Sequence, residues 1–229
     1  MATTTVTQRR SYRSTVVLKA TMAVSGLLIA AWLVMHMVGN LKIFEGQQSF
    51  DEYSAWLRTV GYPAFPESGL LWIMRVVLLA AIIAHIYSAV VLTVRDRRAR
   101  PVRYQTTKAV QRTYASYTMR WGGLLIAVFV VYHLLHLTAN VISPGGASDS
   151  PYERVVNGFQ IWWVTAFYVL SVAAVGLHLR HGIWSGLATL GFNKARRQRA
   201  ISKTATVVAT LLFVGFVIPP LAVLIGVVE

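Results

Sequence analysis

The sequence has no cysteine, and only eight of its 229 residues are acidic. The first absence excludes disulfides, thiolate-held iron–sulfur clusters and covalent Cys-X-X-Cys-His haem attachment within this chain. The second, set against 22 lysines and arginines, leaves a net charge of +14 although only 13% of residues are charged. With 55% hydrophobic residues and a mean hydropathy of +0.54, so few charges exclude an ordinary soluble domain. There is no internal repeat, and the threonine-rich residues 2–7 read as a disordered start.

Long apolar runs fill most of the remaining chain, at about 15–39, 69–94, 118–142, 159–190 and 204–228. A helix needs roughly 20 apolar residues to cross a hydrocarbon core about 30 Å thick. The runs therefore predict one all-α transmembrane domain, residues 1–229, with five spans. The first lies behind Arg9, Arg10 and Arg13, but it is too long for a secretory signal and lacks a cleavage site, so it reads as a retained helix. The fourth exceeds the required length, which implies tilt or extension beyond the bilayer. Pro219-Pro220 is expected to kink the fifth or end its regular part early.

The connections alternate in charge. Lys19 and the three N-terminal arginines flank the first span. Arg95, Arg97, Arg98, Arg100, Arg103, Lys108, Arg112 and Arg120 lie around the second connection. Lys194, Arg196, Arg197, Arg199 and Lys203 form the fourth. The other two connections carry Glu45, Asp51, Glu52, Glu67, Asp149 and Glu153, with only Lys42, Arg58 and Arg154 as bases. The positive-inside rule then places the N-terminus in the cytoplasm and the C-terminus outside. Because the bases are confined to short turns, no nucleic-acid partner is expected. Between the first two spans, Phe50, Tyr53, Trp56 and Leu57 recur at helical spacing, which predicts an interfacial helix. Ser143-Pro144-Gly145-Gly146 reads as a turn.

All six histidines fall within the spans, on four of the five. Ionisable residues at membrane depth are costly and generally functional, and neutral imidazole is a common iron ligand. At about 1.5 Å rise per residue, His36, His133 and His136 lie in the outer half. His85, His178 and His181 lie in the inner half. Two levels of histidine are what two haems stacked across a bilayer require. Imidazoles hydrogen-bonded across helix interfaces, or a histidine proton relay, are the competing uses.

Depth does not separate His133 from His136, or His178 from His181. Helical faces favour His133 and His178. Ser171, Val175, His178, Gly182 and Ser185 form one stripe whose small residues leave room for a macrocycle. His181 shares a stripe with Leu170, Ala174, Leu177 and Trp184, a packing or lipid face. Gly122 lies about three turns before His133, on nearly its face, and leaves space for an inner haem. His136, His181 and Arg180 then become supporting or propionate-contacting groups. Arg75, ten residues before His85, lies near the outer level and suits a propionate, with snorkelling to the interface as the alternative. Trp32, Trp72, Trp162 and Trp163 read as including interfacial anchors rather than quinone contacts.

At these residues the chain resembles the single-subunit, five-helix dihaem cytochrome b anchor of succinate dehydrogenases and fumarate reductases. The resemblance covers most of residues 15–228. It is carried by Ser25-Gly26-Leu27, His36-Met37-Val38-Gly39-Asn40-Leu41, Arg75 with His85, Gly122-Gly123 and Tyr132-His133-Leu134. Its most specific part is Gly176-Leu177-His178-Leu179-Arg180-His181-Gly182-Ile183-Trp184-Ser185, followed by Leu190-Gly191. The resemblance implies a four-helix dihaem-binding bundle with a fifth helix. His36 and His133 would hold the outer haem b, and His85 and His178 the inner one. Ser25, Arg75, Gly122, His136, Arg180, His181 and Gly182 would be the further cofactor-contacting positions.

It also implies flavoprotein and iron–sulfur partner subunits on the cytoplasmic face of a bacterial inner membrane, and a quinone substrate, menaquinone in this reading. The lipid bilayer is the surrounding partner, and a higher oligomer of the complex is compatible. The succinate-oxidising site would lie in the flavoprotein, not in this chain. One departure is Gly176, where some fumarate reductase anchors carry a proton-conducting glutamate. The alternatives are a dihaem anchor of another respiratory enzyme, such as a hydrogenase or formate dehydrogenase, and a non-haem histidine-relay transporter.

Overall fold

The computed structural model describes residues 14–99, 114–192, 194 and 196–229. The threonine-rich start lies outside them, as do Arg9, Arg10, Arg13, Arg100, Arg103, Lys108 and Arg112. The described residues form seven α-helices and no strand: α1 Thr15–Leu41, α2 Gln47–Thr59, α3 Gly69–Arg98, α4 Tyr114–His133, α5 Pro151–Phe159, α6 Trp162–Thr189 and α7 Gln198–Leu224. Five of them, α1, α3, α4, α6 and α7, are long and apolar enough to cross a membrane. The chain is an all-α, multi-pass membrane protein.

Helices α1 and α6 form the centre. α3 packs mainly on α1, α4 on α6, and α7 lies against both central helices. A small residue permits the close approach of α7 to α1: a side chain at Gly215 would collide with Met37. Ala30, Leu179, Ala209 and Leu212 form the buried seam shared by α1, α6 and α7.

The two ends of the bundle differ chemically. At one end the α3 terminus reaches α1 through Arg95 Nη1, which donates to Thr15 Oγ1 at 3.4 Å. Arg120 pairs with Asp96 there, joining α4 to α3 at 3.2 Å. Arg97, Arg98, Lys194, Arg196, Arg197, Arg199 and Lys203 stand exposed around them. The opposite, acidic end is covered by the amphipathic α2, with Phe50 buried and Trp56 exposed. α5 completes that cover. Asp51 accepts hydrogen bonds from Ser150 Oγ at 2.6 Å and from the Tyr152 N–H at 3.0 Å, and so docks α2 on the start of α5. Tyr152 Oη donates to the Glu229 carbonyl at 2.9 Å.

Three local features depart from the sequence reading. α5 is a separate helix ahead of the fourth span, started by Ser150 as N-cap with Pro151 in the first turn. The third span changes from α- to π-helical pairing at Leu134–Thr138, directly after His133. The helix α7 continues through Pro219 and Pro220 to Leu224. Both prolines are buried, and each lacks the N–H that would bond the carbonyl four residues back, at Gly215 and Phe216, so the helix continues past that local loss. The predicted interfacial helix is α2, and Gly146 N–H donates to Ser143 O at 3.0 Å in the expected turn.

Candidate functional site

The helix order brings four of the six histidines together as two facing pairs. His36 of α1 meets His133 of α4, with ring centroids 5.9 Å apart and planes at 82°. His85 of α3 meets His178 of α6 at 6.2 Å and 62°. His36 and His133 lie beside the acidic end. His85 packs against Met22, Ser25 and Gly26 of α1, ten or more residues toward the basic end. The two levels are therefore on the order of 15 Å apart along the bundle.

The spacing within each pair suits a shared metal. An imidazole nitrogen binds at about 2 Å and its ring centre lies about 1 Å behind, so two opposed ligands have centroids about 6 Å apart. Among the described residues neither pair shares a hydrogen bond, and His133 Nδ1 and His178 Nδ1 are buried without a partner. Buried polar atoms left this way are uncommon and call for an explanation. No group of three or more His, Asp or Glu side chains converges among the described residues. Paired imidazoles instead match a group that takes two axial ligands from protein and supplies the rest itself.

The surroundings of each pair follow from residue size. Beside His85, Ser25 is buried and donates to Thr21 O at 2.7 Å, with its Oγ 3.4 Å from His85 Nδ1. The Met22 carbonyl lies 3.0 Å from the same nitrogen. A carbonyl can only accept, so Nδ1 carries the proton and Nε2 keeps its lone pair free for a metal. Gly26 abuts the His85 ring and Gly123 the His178 ring, whereas Gly122 and Gly182 face open space. Gly122 and His178 border the same apolar groove between α4 and α6. The His36–His133 pair sits among rings instead: Trp32 and Phe216 around His36, Phe129 and Tyr168 around His133.

The remaining predicted positions lie apart from the two pairs. His136, only 2% exposed, points between α5 and α6. Its Nδ1 is 3.0 Å from Tyr168 Oη, and a side chain at Gly158 would collide with its ring. The π-turn after His133 separates two histidines that a regular helix would hold nearly in register. His181 is half-buried against Trp184 at 5.9 Å, and Arg180 is exposed. Arg75 is exposed too and stacks over Trp72, its guanidinium 4.9 Å from the ring centre. Gly176 faces Phe213 and Ala209 of α7. Trp72, Trp162 and Trp163 are exposed on the bundle surface, but Trp32 stacks on His36. The i, i+4 spacing of Trp32 and His36 is the sequence signal for that contact.

Residues 94–217 match the sequence profile described as Succinate dehydrogenase/Fumarate reductase transmembrane subunit. The chain belongs to this family. No curated protein and no solved structure matches it. The matched region holds His133, His136, His178 and His181. It stops short of His36 and His85, which reach the same sites through packing. As a member of the succinate dehydrogenase/fumarate reductase transmembrane family, the chain is a membrane subunit, and the hydrogenase, formate dehydrogenase and transporter alternatives fall away.

Proposed function

We infer that the chain is the membrane-anchor cytochrome b of a succinate:quinone oxidoreductase in a bacterial cytoplasmic membrane. His36 and His133 would hold one haem b, and His85 and His178 a second. The carrying observation is the double pairing: two sets of imidazoles from four different helices, at two depths, each near the separation a bis-imidazole metal requires. When bound, the haems supply one-electron transfer between an iron–sulfur subunit and quinone, here menaquinone. Two protein ligands to each haem, His36 with His133 and His85 with His178, would favour electron transfer over oxygen activation.

The protein's contribution is placement. The Met22 carbonyl fixes the tautomer and orientation of His85. The glycines at 26 and 123 let neighbouring backbone approach the His85 and His178 rings, and those at 122 and 182 leave open space. Lipid-facing apolar side chains on α3 and α4 keep bulk water away from both levels. The exposed bases of the basic end would face the cytoplasm and offer a cationic surface to an iron–sulfur subunit, which itself connects to a flavoprotein where succinate reacts. The His85–His178 centre would then be nearer the electron donor.

Purification of the intact complex tests this reading. A flavoprotein and an iron–sulfur protein should accompany the chain, and pyridine haemochrome analysis should give two haems b per copy. His85→Ala or His178→Ala should remove one haem and His36→Ala or His133→Ala the other, while His136→Ala and His181→Ala retain both. A reproducible ratio near one haem in the unmodified complex refutes the dihaem assignment. Loss of a specific haem from His136→Ala or His181→Ala refutes the ligand assignment.

A further inference from the structure

We propose that Trp32 is the positioning residue of the His36 ligand: its indole sets the plane of the His36 imidazole, the role that a main-chain carbonyl plays for His85. The inference rests on the dihaem reading above. His85 is oriented by the Met22 carbonyl at 3.0 Å. Among the described residues, none hydrogen-bonds to the His36 ring. Its orientation comes from ring contacts instead. Trp32 lies parallel to it, centroids 4.7 Å apart and planes at 11°. Phe216 of α7 closes another side at 5.7 Å with a 46° tilt.

The helix itself produces the stack. Residues four apart share a face, and side chains lean toward the helix N-terminus. The imidazole at 36 therefore falls back over the indole at 32. An offset parallel arrangement permits sliding but resists rotation of the ring about its bond to Cβ. That rotation is the motion that would change the angle between His36 and His133, which stands at 82°. The angle matters physically, because the relative orientation of two axial imidazole planes governs the magnetic anisotropy of a low-spin ferric haem. Indole contact also sets the polarity beside the ligand, one of the levers on haem potential. Among the described residues, no other tryptophan makes a ring contact with any of the four paired histidines; Trp184 meets His181 instead.

The test compares Trp32→Leu, Trp32→Phe and Trp32→Tyr in the whole complex, read by low-temperature electron paramagnetic resonance with parallel redox titration. In Trp32→Leu the low-field line of the His36–His133 haem should move toward the position of less perpendicular ligand planes, and its midpoint potential should change. The line of the His85–His178 haem should stay in place and serves as the internal reference. The aromatic replacements should restore the wild-type line. Unchanged spectrum and potential in Trp32→Leu overturn the proposal. So does a Trp32→Phe or Trp32→Tyr variant displaced as far as Trp32→Leu. If Trp32→Leu loses the haem altogether, the aromatic variants decide: keeping the haem and its line supports positioning by the ring, and losing either overturns it. Absence of two haem signals from the unmodified complex overturns the functional reading first, and is thereby distinguishable from failure at Trp32 alone.

Discussion

Gly26→Ala offers a sharp perturbation of the His85–His178 site because it touches neither histidine covalently. A methyl group at Gly26 would stand 2.9 Å from His85 Cε1 and 3.1 Å from His85 Nδ1. Ordinary van der Waals contact begins near 3.4 Å, so the ring must retreat by roughly 0.5 Å or more, and the backbone of α1 need not move. The fold therefore bears little of the strain, at the low end of the about 1–3 kcal/mol typical of overpacking. The ligand geometry bears most of it. Metal sites tolerate displacements of only about 0.2 Å, and the retreat also lengthens the 3.0 Å contact to the Met22 carbonyl. Loss of such an orienting bond typically lowers metal affinity by about 10–100-fold. Gly176→Ala is the matched control, since a methyl there faces α7 and makes only ordinary contact, 3.5 Å from Phe213 Cβ. In purified complex, haem quantification and transfer to an apo-haem acceptor should show faster loss of the His85–His178 haem from Gly26→Ala alone. Wild-type retention in Gly26→Ala, or equal loss from both variants, refutes the assignment of Gly26 as the wall behind this ligand.

Two further outcomes follow from the same geometry. Tyr168→Phe leaves the buried His136 Nδ1 without its 3.0 Å partner, which should destabilise the protein by about 1–3 kcal/mol; a lowered thermal midpoint with both haems retained checks this, and loss of the His36–His133 haem would contradict a purely structural His136. Removing the His36–His133 haem, in a variant shown to keep its other haem and all subunits, should block quinone reduction while preserving succinate oxidation by a soluble artificial acceptor. Native quinone turnover in that variant would place electron exit at the other level.

The spans were readable because a helix that satisfies its own backbone in hydrocarbon needs a continuous apolar run of about 20 residues, and such a run is visible in sequence. Helical faces favoured His133 over His136 only by the room they left, and the pairing of His133 with His36 of α1 was implied by the resemblance; the device separating the two histidines was not legible. A π-turn shifts the main-chain pairing by one residue, and nothing in Leu134–Thr138 announces it; packing of His136 against Gly158 and Tyr168 belongs to the tertiary structure. α5 did announce itself, through Ser150-Pro151 with Glu153, but it lies just ahead of the apolar run beginning at Phe159, which drew the reading to the span alone. The His85–Met22 contact spans 63 residues and was invisible to any local pattern. Arg75 shows the limit of depth reckoning: its level was estimated from helix rise, but its direction, over Trp72 and away from the bundle, depends on how α3 is rotated against α1.

The central placement of α1 and α6 divides the chain into parts with unequal genetic consequences. α3 contributes one imidazole, to one level, whereas α4 carries His133 and also backs the His178 ring through Gly123. α1 carries His36 and also forms the bed of His85 through Met22, Ser25 and Gly26. α6 carries His178 and also presses Tyr168 against His133. Lesions on α3 should thus yield a single-centre phenotype, which spectroscopy can assign to the His85–His178 level. A lesion that turns or slides either central helix should disturb both centres together. Paired defects arising from a single substitution would be the signature of a shared support, without requiring any communication between the two histidine pairs.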